Sequence, residues 1–255
     1  MRVRILGCSG GIGLGLRTTS ILVDNHILID AGTGVGDLTV GELKGIRHVF
    51  LTHSHMDHIA GLPLFLDSVF DDLMEQPITV YARAETISAL REHVFNWVLW
   101  PDFETLPSPE QPMLRFQVLQ PGERVALDCC TLRAVDVHHS VPSLGYCIEH
   151  GGGVFAFSGD TTTNASLWAI LNAYENVQTL VMEVSFPDSQ AALADKTGHY
   201  CPSTLSRDLE KLVHTPEIWV TAMKPGSEDE IFAEVLNTMP DRRIKRLRRG
   251  DVFDL

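Results

Sequence analysis

The sequence predicts an α/β protein built from layers of strands and helices. Short apolar runs with strand character alternate with glycine turns over the first sixty residues, and a second set follows later in the chain. These runs end in small or polar residues, and helical apolar spacing follows several of them. Strands followed by helices, with polar clusters at strand ends, are typical of layered α/β proteins. The chain has no short-period repeat, so we expect one domain over residues 1–255.

The first half of the chain should form four strands and then a helix. The predicted strands are 3–6, 20–24, 26–32 and 48–53. Apolar spacing over 59–73 predicts a helix directly after a histidine cluster. The segment 97–112 holds four prolines and two tryptophans, so we expect a surface excursion whose aromatic residues serve core or lid packing.

The second half repeats the pattern of strands followed by helices. Its predicted strands are 131–139, 146–150, 154–160 and 179–186, and its predicted helices are 164–174, 203–214 and 227–238. The glycine-rich string GCSGGIGLG near the start lacks the lysine-serine ending of a nucleotide-binding loop, and a strand follows it. It is therefore predicted to be a hairpin-forming turn near the mouth of the site.

Charge and cysteine content restrict the classes of partner and compartment. A net charge of -13 disfavours a large polyanionic partner, so nucleic-acid binding is not expected. The only basic cluster is RRIKRLRR at 242–249. Five cysteines, two of them adjacent, do not form a disulfide framework and suit a reducing cytoplasm. No apolar stretch approaches the length of a membrane span, and the N-terminus is predicted as a strand instead of a secretion signal.

Residues 52–58, THSHMDH, are the strongest chemical signal in the chain. Imidazole nitrogens and carboxylate oxygens are ligands of ions such as zinc. His53 and His55 can point to one ion, while Asp57 and His58 can point to a second ion about 3.5–4 Å away. The alternative is a polar helix cap made by Asp57 or Ser54, which leaves the histidines unexplained.

The His-x-His-x-Asp-His string resembles the signature of the metallo-β-lactamase superfamily. This resemblance implies a four-layer αββα sandwich with its site at one edge of two facing sheets. It also implies two divalent metal ions, with zinc expected and manganese or iron as alternatives. His139 in HHSVPSLGY fits the third histidine ligand, and Asp160 in FSGDT fits the bridging aspartate. His138 is the alternative to His139, but only one of two neighbours on a strand should face the site.

Several longer strings resemble one branch, the class II cyclic-nucleotide phosphodiesterases and their bacterial relatives. They are spread over nearly the whole chain: RTTSILVD, ILIDAGTGVGDL, HSHMDHIAGLPLFLDSV, FNWVLWPDF, HSVPSLGY, EVSFPD and KPG. The tRNA 3′-processing endonucleases share the HSVPSLGY-like and SGDT segments. The resemblance therefore implies a phosphodiesterase acting on a small cyclic nucleotide, with the tRNA endonuclease as the alternative and a homodimer left open.

One ligand position of the resembled family is not filled. The family places a histidine two residues before Lys-Pro, whereas this chain has VTAMKPG and therefore Ala222 at that position. Because alanine cannot ligate a metal, we expect the second ion to be held weakly by Asp57, His58 and Asp160. A weakened nucleotide-binding sensor is accordingly a third interpretation of the function.

The resemblance also supplies candidates for acid-base chemistry and substrate contacts. It places His199 and Glu183 beside the leaving group, and a histidine can donate a proton near neutral pH. Asp57 is counted among both the catalytic groups and the metal ligands. Lys224 is a candidate contact for a phosphate oxygen. Ser140 and Thr161, which flank proposed ligands, complete the predicted substrate-binding set.

Overall fold

The computed structural model describes residues 1–255 as strands and helices in alternating blocks. The strands are β1 (Arg2–Gly7), β2 (Ser20–Val23), β3 (Ile27–Ile29), β4 (His48–Phe50), β5 (Ile78–Ala82), β6 (Pro107–Ser108), β7 (Gln111–Pro112), β8 (Leu114–Val118), β9 (Arg124–Ala126), β10 (Thr131–Val137), β11 (Ser143–His150), β12 (Gly153–Phe157), β13 (Val177–Glu183), β14 (Glu217–Thr221), β15 (Ile244–Arg246) and β16 (Val252–Asp254). The helices are α1 (Val40–Leu43), α2 (Met56–Ile59), α3 (Gly61–Ser68), α4 (Phe70–Glu75), α5 (Ala84–His93), α6 (Ser166–Asn172), α7 (Ala191–Thr197), α8 (Pro202–Leu209) and α9 (Glu228–Thr238). Two 3₁₀ turns cover Thr33–Asp37 and Asp188–Gln190.

Two seven-stranded sheets form the frame of the molecule. The first has the strand order β16-β1-β2-β3-β4-β5-β8, and the second has the order β15-β14-β13-β12-β11-β10-β9. Strands β3, β4, β5 and β8 run parallel, as do β12, β13, β14 and β15. Parallel neighbours end at the same edge of a sheet, so the loops after β12, β13 and β14 can share one site, as can the loops after β3 and β4.

Three apolar clusters show that the sheets and helices form four layers. One cluster joins the first sheet to helices α1 to α5, and a second joins the second sheet to helices α6, α8 and α9. A third fills the space between the sheets, where Phe50 of β4 stacks on Tyr81 and meets Tyr146 edge-on at 5.6 Å. In β13 alternate residues face opposite layers, since Leu180 lies in the helix-side cluster and Val181 between the sheets. The predicted αββα sandwich is confirmed.

The prediction of one continuous helix over 59–73 is wrong. The chain forms α2, α3 and α4 in its place, with breaks at Ala60 and Val69. At the first break Gly61 donates its N–H to Ala31 O at 2.7 Å, so this amide bonds outside the helix. A Cβ on Gly61 would lie 2.5 Å from Gly32 O, which explains the glycine. Apolar spacing alone does not reveal such a backbone contact.

The remaining local predictions agree with the structure in part. Residues 8–19 connect the antiparallel strands β1 and β2, as predicted for the glycine-rich string. In the proline-rich segment Phe103 is buried in the core, whereas Trp97 is 62% exposed. The predicted basic cluster contains β15 and then continues as a loop toward β16. The structure contains no helix with the length and apolar character that a membrane span would require.

Candidate metal centre

The candidate ligands come together where loops leave several strands of both sheets. His53 and His55 lie in the loop after β4, and His58 lies in α2. His139 follows β10 and Asp160 follows β12, both from the second sheet. The loops of two facing sheets therefore supply one site, although about a hundred residues separate the first ligand from Asp160 in the chain.

The first group of ligand atoms belongs to His53, His55 and His139. Their ligand atoms lie within 4.8 Å of one another, and His139 Nε2 is 3.2 Å from His55 Nδ1. His53 Nε2 is buried and has no hydrogen-bond partner, a costly arrangement for an isolated imidazole. A divalent cation would satisfy that atom, so the residues fit a metal ion.

A second group, around Asp160, shares His53 with the first. It consists of His53, His58 and Asp160, and His58 Nε2 lies 3.4 Å from Asp160 Oδ2. Asp57 borders this group, with its Oδ2 4.0 Å from His58 Nε2, but does not belong to it. His53 is the member common to these two groups, and Asp160 belongs to the second; a bridging role for Asp160 stays a prediction.

His199 lies against the same aspartate and forms a third group with His139 and Asp160. Its Nδ1 is 3.9 Å from Asp160 Oδ2 and 3.0 Å from Glu183 Oε1. Glu183 is completely buried at the end of β13 and also accepts the amide of Tyr200 at 3.1 Å. The predicted pair of His199 and Glu183 is therefore in direct contact beside the ligand cluster.

Asp30, which the sequence analysis missed, supports the histidines from behind. It is completely buried, and its carboxylate lies 2.7 Å from His58 Nδ1. It also accepts the amide of Thr52 at 2.8 Å, and Thr52 Oγ1 lies 2.9 Å from His53 Nδ1. Such partners fix the ring orientation and tautomer of metal-binding histidines. The sequence did offer a signal for Asp30. This aspartate ends the apolar run HILID, just as polar residues follow the apolar run HVFL before the histidine motif.

The side chains of the cluster shift one another's protonation. Burial holds the pKa of His53 well below its usual range, so its imidazole is neutral and able to bind a metal. Burial also acts to lower the pKa of His58, but the carboxylates of Asp160 and Asp30 outweigh it and hold that pKa well above its usual range. Because two carboxylates converge on His58, the local field favours a cation at this position.

Ala222, for which the resemblance predicts a missing ligand, lies close to His199 of the cluster. Its carbonyl accepts Ser185 Oγ at 3.1 Å, and the same Oγ is 3.2 Å from His199 Nδ1. The residue is buried and has a φ of +61°, a left-handed conformation that histidine and asparagine adopt more readily than alanine. Its methyl group offers no ligand atom, so the second group has three histidine and carboxylate members and no fourth.

The predicted substrate contacts differ in their surroundings. Lys224 Nζ donates to Gly10 O at 3.0 Å and lies 5.9 Å from the Phe186 ring, at the rim of the site. Ser140 is exposed, as is His138, so of the neighbouring histidines only His139 is turned into the cluster. Thr161 is buried, and its hydroxyl donates to the His138 carbonyl at 3.1 Å.

Comparison with known proteins supports a common family. Residues 25–214 match the family model described as the Beta-lactamase superfamily domain. A probable 3′,5′-cyclic-nucleotide phosphodiesterase of Yersinia pestis is 28% identical over 66% of this chain and 52% of its own length. A 3′,5′-cyclic-nucleotide phosphodiesterase of Aliivibrio fischeri is 28% identical over 81% of this chain and 74% of its length. The alignment thus spans about half of the first relative and three quarters of the second.

Other relatives carry a different name, and solved structures support the fold. Ribonuclease Z of Clostridium beijerinckii is 29% identical over 57% of this chain and 48% of its own length. Unliganded yeast PDE1 superposes with a TM-score of 0.81 at 19% identity, covering 100% of this chain and 99% of that one. The metallo-beta-lactamase fold protein YhfI from Bacillus subtilis gives a TM-score of 0.77 at 18% identity, covering 99% and 98%.

Proposed function

The chain belongs to the metallo-β-lactamase superfamily, and we propose that it is a metal-dependent phosphodiesterase that opens 3′,5′-cyclic nucleotides to 5′-monophosphates. The observation that carries the proposal is the convergence of four histidines and Asp160, in two groups that share His53. The cyclic-nucleotide phosphodiesterases among the relatives supply the substrate class.

The two groups differ in how completely they can hold an ion. His53, His55 and His139 offer three neutral imidazoles, the ligand number of a catalytic zinc site. The second position has His58, Asp160 and the half-exposed Asp57, and it lacks the ligand that Ala222 replaces. We therefore propose one firmly held ion, zinc by preference with manganese or iron as alternatives, and a second ion held more weakly.

The reaction requires an activated water, neutralised phosphoryl charge and a proton for the leaving oxygen. Divalent ions in such a site lower the pKa of water and neutralise phosphoryl charge. The chain supplies the proton through His199, since Glu183 binds Nδ1 and leaves Nε2 for the leaving oxygen. Burial acts to lower the pKa of His199, but Glu183 outweighs it and raises that pKa, which favours the protonated ring that a proton donor requires.

A tRNA 3′-end endonuclease is the second candidate, because several relatives are named Ribonuclease Z. A net charge of -13 counts against a protein that must hold the tRNA body, since phosphate neutralisation by lysine and arginine supplies most of such affinity. Because the relatives still favour this candidate, cleavage of a precursor tRNA is assayed beside hydrolysis of the cyclic nucleotides.

The test is turnover of 3′,5′-cyclic AMP by the full chain loaded with zinc or manganese, beside the variant Ala222→His. The left-handed backbone at residue 222 tolerates histidine, so this variant restores a ligand without moving the loop. Ala126→His is the matched control, because it adds a histidine at an exposed position of β9, an edge strand of the second sheet.

We expect 5′-AMP from both the chain and Ala222→His, with a higher rate and a second tightly bound ion in the variant. Ala126→His should match the unmodified chain in rate and metal content. The proposal fails if neither the chain nor Ala222→His opens any cyclic nucleotide although both bind metal. Cleavage of precursor tRNA in that situation would establish the second candidate.

A further inference from the structure

A cavity of about 310 Å³ lies beside the metal centre and is not part of it. It opens to solvent and is lined by the loop after β1, by Met223 next to Ala222, and by the end of β15 with the segment that follows it. We propose that this cavity binds the phosphate group of a small phosphate monoester, held by arginines from both ends of the chain.

The lining of the cavity concentrates positive charge in an acidic protein. Four arginines, Arg17, Arg246, Arg248 and Arg249, face one glutamate among the lining residues, although the chain as a whole carries a charge of -13. Guanidinium groups bind phosphate oxygens through paired donors, which makes arginine the side chain best matched to a phosphate monoester. A bound phosphate would offset the repulsion between these like charges.

The arginines are not fully neutralised by the acids around them. Arg17 and Arg249 share the single carboxylate of Asp37, at 3.0 Å and 2.5 Å. Arg246 pairs with Asp229, which is 98% exposed, so solvent screens that contact. Arg248 has no side-chain partner, and only its backbone amide bonds to an aspartate. The guanidinium of Arg248 is therefore the one free to receive a phosphate.

A second observation concerns the wall of the cavity at Ser9. Ser9 lines the cavity, is nine-tenths buried, and its Oγ has no hydrogen-bond partner. A hydroxyl without a partner is costly to bury, and its hydrogen is free to be donated to a ligand oxygen. The volume lies at the lower end of the range for small-molecule pockets, so it suits a phosphate or mononucleotide and is too small to enclose a folded RNA.

The cavity is joined to the metal centre through the backbone. Cys8 O accepts the amide of Ala222 at 2.9 Å, and Gly10 donates to Met223 O at 3.1 Å. These bonds tie the cavity wall to the segment that carries Ala222, and none of the lining residues is one of the candidate metal ligands. Binding at the cavity can therefore be measured without relying on turnover at the metal centre.

The test is calorimetric titration of the zinc-loaded full chain at constant ionic strength with inorganic phosphate, 5′-AMP and adenosine. The variant is Arg248→Ala, with Arg246→Ala as a second change in the same cavity. Arg115→Ala is the matched control, since Arg115 is also exposed and without a carboxylate partner but lies on β8, the opposite edge of the first sheet from β16.

We expect saturable binding of phosphate and 5′-AMP and none of adenosine, with at least a tenfold loss of affinity in Arg248→Ala and no change in Arg115→Ala. If the affinity for 5′-AMP is at least tenfold above that for phosphate, the ligand is a nucleotide. If the two affinities are equal, the cavity recognises the phosphate group alone. The proposal is overturned if phosphate does not bind, or if Arg248→Ala binds as the unmodified chain does, which would place phosphate at the metal centre. Binding of a short single-stranded RNA that depends on Arg248, without phosphate binding, would also overturn it.

Discussion

At the scale of single residues, the candidate site depends on side chains whose second nitrogen is already occupied. His58 Nδ1 is held by Asp30, His139 Nδ1 lies 2.8 Å from Gly198 O, and His199 Nδ1 contacts Glu183. Each ring is thereby oriented with Nε2 available. The orientation of each ring is set by a residue outside the ligand motif. Substituting such a residue tests how much ring orientation contributes to metal binding and catalysis.

Asp30→Asn should weaken zinc binding by about 10- to 100-fold, because the neutral amide no longer holds the His58 ring with a charge and holds less firmly the Thr52 hydroxyl that contacts the shared ligand His53. Asparagine tolerates the left-handed backbone of residue 30, where φ is +55°, so the fold should persist. Competition with a chromophoric chelator measures the affinity. Asp67→Asn, at an exposed position of α3, is the control, and equal affinities in the two variants would contradict a supporting role for Asp30.

His199→Gln should lower kcat for cyclic AMP by about 10²- to 10⁴-fold while the tightly bound ion is retained, because the change removes the proton donor and none of the three imidazoles of the first group. Steady-state kinetics and metal analysis on the same preparation give both quantities. Loss of metal together with activity would show that His199 is a ligand in place of the absent one, and unchanged kcat would exclude it as the acid.

At the scale of elements, strand ends and short loops place the chemistry, and buried polar contacts hold the helices behind them. The carboxylate of Asp208, in α8, accepts Tyr200 Oη at 2.7 Å, Trp168 Nε1 at 3.1 Å and Lys211 Nζ at 2.7 Å. This network joins α6 to α8 behind the loop of His199. Its net effect is to lower the pKa of Asp208, since these donors outweigh burial of the carboxyl group.

Asp208→Asn should reduce the free energy of unfolding by about 1.5–3 kcal/mol at pH 7, the range for hydrogen bonds to a charged group. Because the folded-state pKa is below the unfolded one, the carboxylate contributes stability above about pH 4, and this is lost as pH falls through the folded-state value. Denaturant unfolding at pH 7 and pH 3 should show the difference shrinking at the lower pH. Asp195→Asn, at an exposed position of α7, should change neither value, and a difference independent of pH would contradict the argument.

At the scale of the whole molecule, two sheets packed face to face bring distant segments to one edge. The apolar cluster between the sheets fixes their relative position, with Phe50 and Tyr146 meeting across it. The metal centre draws ligands from both sheets, so an ion there would link them. The prediction of one domain over residues 1–255 stays a prediction, as do zinc as the ion and the cytoplasm as the location.

Zinc at about 100 times its dissociation constant should stabilise the folded chain by about 2.7 kcal/mol, since an ion that binds only the folded state shifts the equilibrium toward it. For a protein of this size the melting temperature should rise by about 5–10 °C. Thermal unfolding with and without zinc, and after treatment with a chelator, measures the shift. His53→Gln removes the ligand shared by the two groups and should abolish most of the rise, so an equal rise in that variant would place the ion elsewhere.

The sequence by itself determined the layered fold and the ligand types, because strand and helix patterns are local and three histidines with an aspartate fall within seven residues. Resemblance to a known family added Asp160 and His139 as ligands, and it indicated that Ala222 stands where a histidine ligand is expected. Only the tertiary structure brought Asp30 behind His58, since its position depends on the pairing of β3 with β4. It alone placed Arg17 beside Arg249, because β1 pairs with both β2 and β16, and contacts between chain ends leave no local pattern in a sequence.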